Sequence, residues 1–340
     1  MLREYKNILI IRFSSLGDVL LATPVVETLK VLYSGSKISF ITKTQYAPLF
    51  KNNNSIDELL LLENGNLSGL IKLVKKIRER KYDLVIDLHK NLRSFIISSL
   101  LKYSEYYGVN KRSFERRILV WWKKNLMPDG YHVVKAYLET LKTVVNVDGI
   151  LKPRLYLGDD EIMQAREYIK NKISSSDIVA FAPGARWKTK KWEEEYYAGL
   201  GNLIHRCSKS NVILLGDKDD RATSERISSL MNKQPVNLTG LLSIRETAAF
   251  LKLSRLVVTN DSGLMHVAVA TGTPVIAIFG PTVPEFGFYP LGERDVVLQT
   301  KLDCRPCTLH GGNYCPEGHH KCMKNITVEM VWEKVLEYIS

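Results

Sequence analysis

Short apolar runs alternate with longer amphipathic stretches along this chain, and the alternation restarts after a polar interruption near the middle. Strand character falls at Ile8 to Phe13, Lys37 to Thr42, Glu58 to Leu62, Tyr82 to Leu88 and Glu105 to Val109, with helical spacing between, as at Leu67 to Arg80. The second series places strands at Ile178 to Ala182, Asn211 to Leu215, Arg255 to Thr259 and Pro274 to Phe279. Helices are expected there at Glu193 to His205, Arg221 to Met231, Ile244 to Lys252, Gly263 to Ala270 and finally Val328 to Ile339. Strands that alternate with helices predict parallel sheets covered by helices, an α/β class. Asn146 to Asp160, with Gly149, Pro153 and Gly158, reads as a linker. The length of 340 residues suits two such domains.

The first strand runs into Arg12-Phe13-Ser14-Ser15-Leu16-Gly17-Asp18. Ligands of open α/β folds bind beyond the carboxyl ends of the strands, so Asp18, at the start of the next helix, is placed to face one. The competing explanation is that Asp18 only complements the helix macrodipole.

The second half carries further ligand signals. Pro183-Gly184-Ala185-Arg186-Trp187-Lys188-Thr189-Lys190-Lys191-Trp192 follows a strand and combines a flexible glycine with several cations before a helix, a setting suited to a phosphate. Asn260-Asp261-Ser262-Gly263-Leu264-Met265-His266 follows another strand; Asp261 or Ser262 would cap the next helix, Gly263 would admit a ligand close to the backbone, and His266 would lie one turn in. Phe279-Gly280-Pro281-Thr282 adds a turn at the same edge. Gly216-Asp217-Lys218-Asp219-Asp220 offers carboxylates for ribose hydroxyls, although the Gly-x-Gly-x-x-Gly fingerprint of dinucleotide enzymes is missing.

Taken in order, Ser14-Ser15-Leu16-Gly17-Asp18, Pro183-Gly184-Ala185 with Lys190 and Trp192, Gly240-Leu241 before Ser243, and Asp261 to His266 give the chain its resemblance to the bacterial lipopolysaccharide heptosyltransferases of glycosyltransferase family 9. The resemblance covers nearly the whole chain and implies a GT-B fold, two Rossmann-like domains facing across a cleft. It implies an acceptor-binding domain over 1–150, a nucleotide-sugar-binding domain over 151–325, and a C-terminal helix over 326–340 that packs back on the first domain. The implied reaction is inverting transfer of heptose from ADP-heptose to the lipopolysaccharide inner core, either Kdo-lipid A or an already heptosylated core. Asp18 matches the carboxylate proposed as general base. Gly184, Lys190, Asp261, Ser262, Gly263, Leu264 and His266 match the donor site, and Asp217 or Asp219 falls near the ribose position. Ser14, Ser15, Arg93, Arg116 and Arg117 are candidates for the acceptor. No Asp-x-Asp metal motif stands in the donor loops, so no metal ligand is assigned and transfer is expected to need no cofactor.

The formal charge of +12 favours an anionic partner. Without a helix-turn-helix, an RNA-binding signature or zinc-finger spacing, nucleic acid is not expected to be that partner, which disfavours a regulatory nucleotide-binding protein. Cations and aromatics in Lys111 to Lys124, including Trp121 and Trp122, predict contact with anionic lipid. The chain shows neither a secretory signal nor an apolar run long enough to span a membrane, so a cytoplasmic protein, peripheral at the inner face of the inner membrane, is expected. A relative using a different nucleotide sugar remains the nearest alternative. Cys304, Cys307, Cys315 and Cys322, interspersed with His310, His319 and His320, leave structural zinc, unligated thiols and disulfides open; Cys207 is expected to be packed within its helix.

Overall fold

A computed structural model describes residues 4–63, 66–141, 152–173 and 177–339. Residues 146–151 of the expected linker, Gly149 among them, lie outside the described residues. Contacts divide the chain into two units, Met1–Lys111 with Val133–Tyr156, and Arg112–His132 with Leu157–Ser340.

In the first unit β1 (Asn7–Ile11), β2 (Lys37–Lys43), β3 (Glu58–Leu62), β4 (Lys81–Asp87) and β5 (Lys102–Gly108) form one parallel sheet in the order β3-β2-β1-β4-β5. Ile8, Leu9, Ile10 and Ile11 are wholly buried, as a central parallel strand covered on both faces requires. The connecting helices are α1 (Leu16–Leu20), α2 (Thr23–Leu32), α3 (Leu67–Ile77) and α4 (Leu92–Ser99). The strand order reverses between β1 and β4, whose carboxyl ends pair Ile11 with Asp87. That reversal is where a crevice opens in such sheets.

The chain then leaves the first unit. Helix α5 (Ser113–Trp122) belongs by its contacts to the second unit, and α6 (Val133–Glu139) to the first. The division expected near residue 150 is therefore displaced, because residues 112–132 have their partners in the second unit. Arg116 stacks on Phe288 and Tyr131, Lys123 Nζ donates to Pro306 O at 2.7 Å, and the His132 ring lies 2.9 Å from Tyr289 O.

The second unit carries α7 (Asp159–Lys172) and then β6 (Ile178–Ala182), α8 (Glu194–Cys207), β7 (Asn211–Leu214), α9 (Arg221–Leu230), β8 (Val236–Asn237), α10 (Ile244–Leu253), β9 (Leu256–Asn260), α11 (Gly263–Thr271), β10 (Val275–Phe279) and β11 (Val296–Gln299). Its parallel sheet runs β11-β10-β9-β6-β7-β8, the doubly wound order with a reversal between β6 and β9. Strands β8 and β11 escape sequence reading because they are short and only half-buried, leaving little apolar pattern. The unit closes with α12 (Lys321–Lys324) and α13 (Val328–Ile339).

Helix α13 joins the core of the second unit. Val331, Val335 and Tyr338 are buried in one cluster with Ile276 and Ile278 of β10 and Leu200 and Ile204 of α8. Trp192 Nε1 donates to Ile326 O at 2.7 Å just ahead of the helix. The apolar stripe of α13 is buried against α8 and β10. Cys207 is exposed rather than packed, being the last residue of α8 and one turn beyond Ile204, where the cluster stops.

Candidate active site

The first cluster stands at the β1–β4 reversal. Helix α1 begins after Ser15, and Asp18 at its third position turns back toward the start of the helix. Asp18 Oδ2 accepts from Ser15 N at 3.0 Å and from Ser15 Oγ at 2.7 Å. Asp18 Oδ1 meets Arg12 Nη2 at 2.5 Å, with the Tyr137 hydroxyl of α6 at 3.5 Å. Arg12 Nη1 donates to Leu88 O at 2.5 Å, and its guanidinium lies 5.5 Å from the Tyr137 ring centroid. Burial by itself would raise the Asp18 pKa, but the Arg12 charge and the two Ser15 bonds outweigh it and bring the carboxyl down to about 2. Asp18 is thus ionised at neutral pH. Asp18 closes a capping box with Ser15 at the start of α1 and stands at the carboxyl end of β1.

The loop after β4 completes this end. Asp87 Oδ1 accepts from the backbone N–H of His89 and Lys90 at 2.9 and 2.6 Å, and its Oδ2 accepts from Tyr106 at 3.0 Å. This turn sets the His89 ring against Phe13 with centroids 4.6 Å apart. Burial, followed by the charges of Arg12 and Lys111, lowers the His89 pKa to about 3, so the ring is neutral. Of the candidate acceptor residues, Ser15 bonds Asp18, Ser14 precedes it in the same turn, and Arg93 is exposed on α4. Arg116 and Arg117 lie in the second unit; Arg117 is exposed, whereas Arg116 is half-buried on Tyr131 and Phe288.

The second cluster stands at the β6–β9 reversal. Asn260, fully buried, donates from Nδ2 to Pro183 O at 2.7 Å, while its Oδ1 accepts from Trp192 N at 3.1 Å and from the Tyr197 hydroxyl at 3.3 Å. The two ends of the 183–192 loop are thereby pinned to the end of β9. Lys190 Nζ then lies 2.5 Å from Asp261 Oδ2, which also accepts from Thr282 Oγ1 at 2.6 Å. Ser262 takes the N-cap position of α11, with its Oγ 3.4 Å from Thr259 Oγ1; Gly263 and Leu264 follow half-buried, and His266 is buried with its ring facing Phe288 at 6.4 Å. A cation, a hydroxyl and the first turn of a helix therefore meet at one strand end, an arrangement suited to a diphosphate.

Gly184 is held by space. A Cβ on it would fall 2.0 Å from Asp220 Oδ2, so this loop lies directly on the Asp220 carboxylate. Asp220 also sits 3.7 Å from Lys191 Nζ, and burial, with the nearby Asp217 charge, raises its pKa. Asp217 caps the turn before α9, its Oδ1 accepting from Asp219 N at 2.9 Å, and Asp217 and Asp219 are exposed. Asp220, which stands in the acidic run Asp217 to Asp220 but is not among the residues assigned to the ribose position from sequence, is the carboxylate that meets this loop. Its position as the residue immediately before α9 was the available signal.

Among the described residues no group of three or more His, Cys, Asp or Glu side chains is arranged to hold a metal ion. All five cysteines are free thiols; Cys307, Cys315 and Cys322 line a small pocket with Thr189, Pro281 and His320, and Cys307 Sγ lies 3.1 Å from Cys304 O.

The family model described as glycosyltransferase family 9 (heptosyltransferase) matches residues 70–314. The lipooligosaccharide heptosyltransferase 2 of Haemophilus influenzae is 26% identical over 365 residues, covering 98% of this chain and 99% of that protein. A crystal structure of a family 9 glycosyltransferase from Veillonella parvula superposes with a TM-score of 0.83 at 22% identity, over 100% of this chain and 98% of its own. The structure of the Escherichia coli ADP-heptose lipopolysaccharide heptosyltransferase II gives a TM-score of 0.77 at 22% identity over 98% of each chain. At this identity the structural likeness is one of fold, the pair of Rossmann-like units of the GT-B class.

Proposed function

The chain belongs to glycosyltransferase family 9, the heptosyltransferases, and from that premise we propose that it moves heptose from ADP-heptose to the lipopolysaccharide inner core with inversion at the anomeric carbon. The observation that carries this reading is the division of chemistry between two strand-order reversals, an ionised carboxylate at one and a lysine with a helix start at the other.

In the proposed reaction the acceptor hydroxyl attacks the anomeric carbon of the heptose. The bond from that carbon to the diphosphate oxygen breaks, ADP leaves with the electron pair, and the hydroxyl proton passes to Asp18. Ser15 and Arg12 orient the carboxylate. Lys190 and the first turn of α11 meet the charge that develops on the departing diphosphate. Lys190 is paired with Asp261, so it shares its charge between that carboxylate and the phosphate. Backbone amides near Gly184 meet the diphosphate, His266 and Leu264 line the same site, and the acidic group of Asp217, Asp219 and Asp220 meets the ribose. In this scheme transfer needs no cofactor.

The acceptor is an anionic glycolipid, and α5 offers a surface for its membrane. Phe114, Arg117 and Trp121 recur at helical spacing on the exposed side, Trp121 and Trp122 being 68% and 69% exposed, and Lys124 is exposed just beyond the end of the helix. Indoles at headgroup depth flanked by cations fit an anionic bilayer surface. Among the described residues no helix is long and apolar enough to cross a membrane, so this contact is a peripheral one, at the cytoplasmic face of the inner membrane.

Transfer of heptose from ADP-heptose to Kdo2-lipid A tests the activity, with Asp18→Ala and Lys190→Ala as controls. Failure of the wild-type protein on this and on heptosylated core acceptors would overturn the assignment. Full activity of Asp18→Ala would leave the transfer and remove the base.

A further inference from the structure

The stretch from Thr300 to Cys322 supplies no group to the proposed transfer, yet it grips both loops that build the Lys190, Asp261 and Thr282 cluster. On one side Thr189, the neighbour of Lys190, donates through its backbone N–H and its hydroxyl to Gly312 O at 3.0 Å each, and its hydroxyl accepts from Gly312 N at 2.9 Å. His320 Nε2 lies 2.9 Å from Thr189 O. On the other side Cys307 N donates to Pro281 O at 3.1 Å. Between them stands Arg305, at the centre of Cys304-Arg305-Pro306-Cys307. Its Nε donates to Gly280 O and its Nη1 to Thr300 O, while its Nη2 reaches Thr282 O at 2.8 Å, Phe279 O at 3.2 Å and Gln299 Oε1 at 3.1 Å.

We infer that Arg305 is a positioning residue for donor binding: by holding the carbonyls of Phe279, Gly280 and Thr282 it sets the Thr282 hydroxyl against Asp261, and so fixes where Lys190 waits for the diphosphate. Only a planar fork with five N–H donors can serve so many acceptors at once; an ammonium has three donors and no fixed plane. All of these acceptors are uncharged, so the charge of the guanidinium is spread over amide dipoles at the ends of β10 and β11. The cysteines seat it. Cys307 Sγ donates to Cys304 O at 3.1 Å and closes the turn that presents Arg305. Burial pushes the Cys307 thiol up to about 12 and that of Cys322 up to about 11, which keeps both protonated and poorly nucleophilic at neutral pH. The motif left unexplained by its spacing thus acts as a brace behind the donor loops.

The inference rests on reading Lys190, Asp261 and Thr282 as the donor site, and the experiment separates the two. ADP affinity by calorimetry, and KM for ADP-heptose alongside kcat, are measured for the wild type, Lys190→Ala, Arg305→Met, Arg305→Lys, Thr282→Val and the Arg305→Lys/Thr282→Val double variant. Arg305→Met is expected to weaken ADP and raise donor KM about tenfold or more while kcat at saturating donor changes less, with partial recovery in Arg305→Lys, since a small displacement of a binding group has costs of this order. Because Arg305 acts through Thr282, the double variant is expected to lose less than the sum of the single losses. Should Arg305→Met not fold, the cycle built on Arg305→Lys and Thr282→Val carries the test. Additive losses in that cycle, or Arg305→Lys within about twofold of wild type in ADP affinity while Lys190→Ala is impaired, would overturn the role of Arg305. Wild-type ADP affinity in Lys190→Ala would instead overturn the donor site, and this inference with it.

Discussion

Arg12 Nη2 stands 2.5 Å from Asp18 Oδ1, and both side chains are largely withdrawn from solvent, 8% and 17% exposed. The contact gives Asp18 its charge and also limits its basicity, because the carboxylate must take a proton beside a fixed guanidinium. A base held this way accepts the proton only as the new glycosidic bond forms, when the hydroxyl has become strongly acidic.

The pair therefore has a pH signature. The Asp18 pKa is lowered from 3.8 to about 2, so the stability it contributes is fully present above about pH 4 and is lost as pH falls toward 2. Arg12→Met removes the charge that opposes burial and raises the Asp18 pKa. The acid limb of kcat/KM is then expected to move to higher pH, read from a pH–rate profile against wild type. Chemical denaturation at neutral pH should show a loss of about 3–5 kcal/mol, because a buried carboxylate is left without its partner, and Asp18→Asn in the same background should recover part of it.

Lys190→Ala leaves Asp261 with Thr282 alone and takes away the cation of the donor site. We expect kcat to fall by a factor on the order of 10², the scale for losing one stabiliser of transition-state charge. Single-turnover measurements would check this, and a variant that keeps wild-type chemistry would place the leaving-group charge elsewhere.

Gly184→Ala would drive a methyl group into Asp220 Oδ2. Since the clash is with a side chain, Gly184→Ala should lower the melting temperature and Asp220→Gly in the same background should recover part of it. Thermal unfolding of the single and double variants distinguishes this relief of crowding from a loop that requires glycine for its backbone.

On anionic vesicles, Arg117→Ala and Lys124→Ala should each weaken binding by about 1 kcal/mol, and the loss should shrink as salt is added. Trp121→Ala and Trp122→Ala should weaken it with little salt dependence. Arg116→Ala is expected to lower the melting temperature instead, as its guanidinium is stacked on Phe288 and Tyr131. Flotation with and without salt, beside thermal unfolding, separates these behaviours.

Removing residues 328–340 should destabilise the second unit. Val331, Val335 and Tyr338 are buried there, and covering each such side chain is worth about 1.5–3 kcal/mol. Proteolysis of the truncated chain should open α8 and β10 first. Protection equal to that of the full chain would show that the helix adds nothing to that core.

Much of the architecture was legible in the order of residues. Strand and helix periods placed β1, β6, β9 and α11 within a residue or two, because burial on both faces demands unbroken apolar runs such as Ile8 to Ile11. The same runs located Asp18, Lys190 and Asp261 at strand ends, and their order along the chain carried the family resemblance. The partners of those residues were not legible. Tyr137 reaches Asp18 from 119 positions away, Thr282 reaches Asp261 from 21, and Asp220 rather than Asp217 or Asp219 lies on Gly184. Residues 112–132 group with the second unit and α13 packs into its core, although the local pattern of each is only that of an amphipathic segment. Periodicity records which face of an element must be buried, since that depends on its own side chains; which surface buries it, and which charge then meets which, depends on shapes brought together from distant parts of the chain.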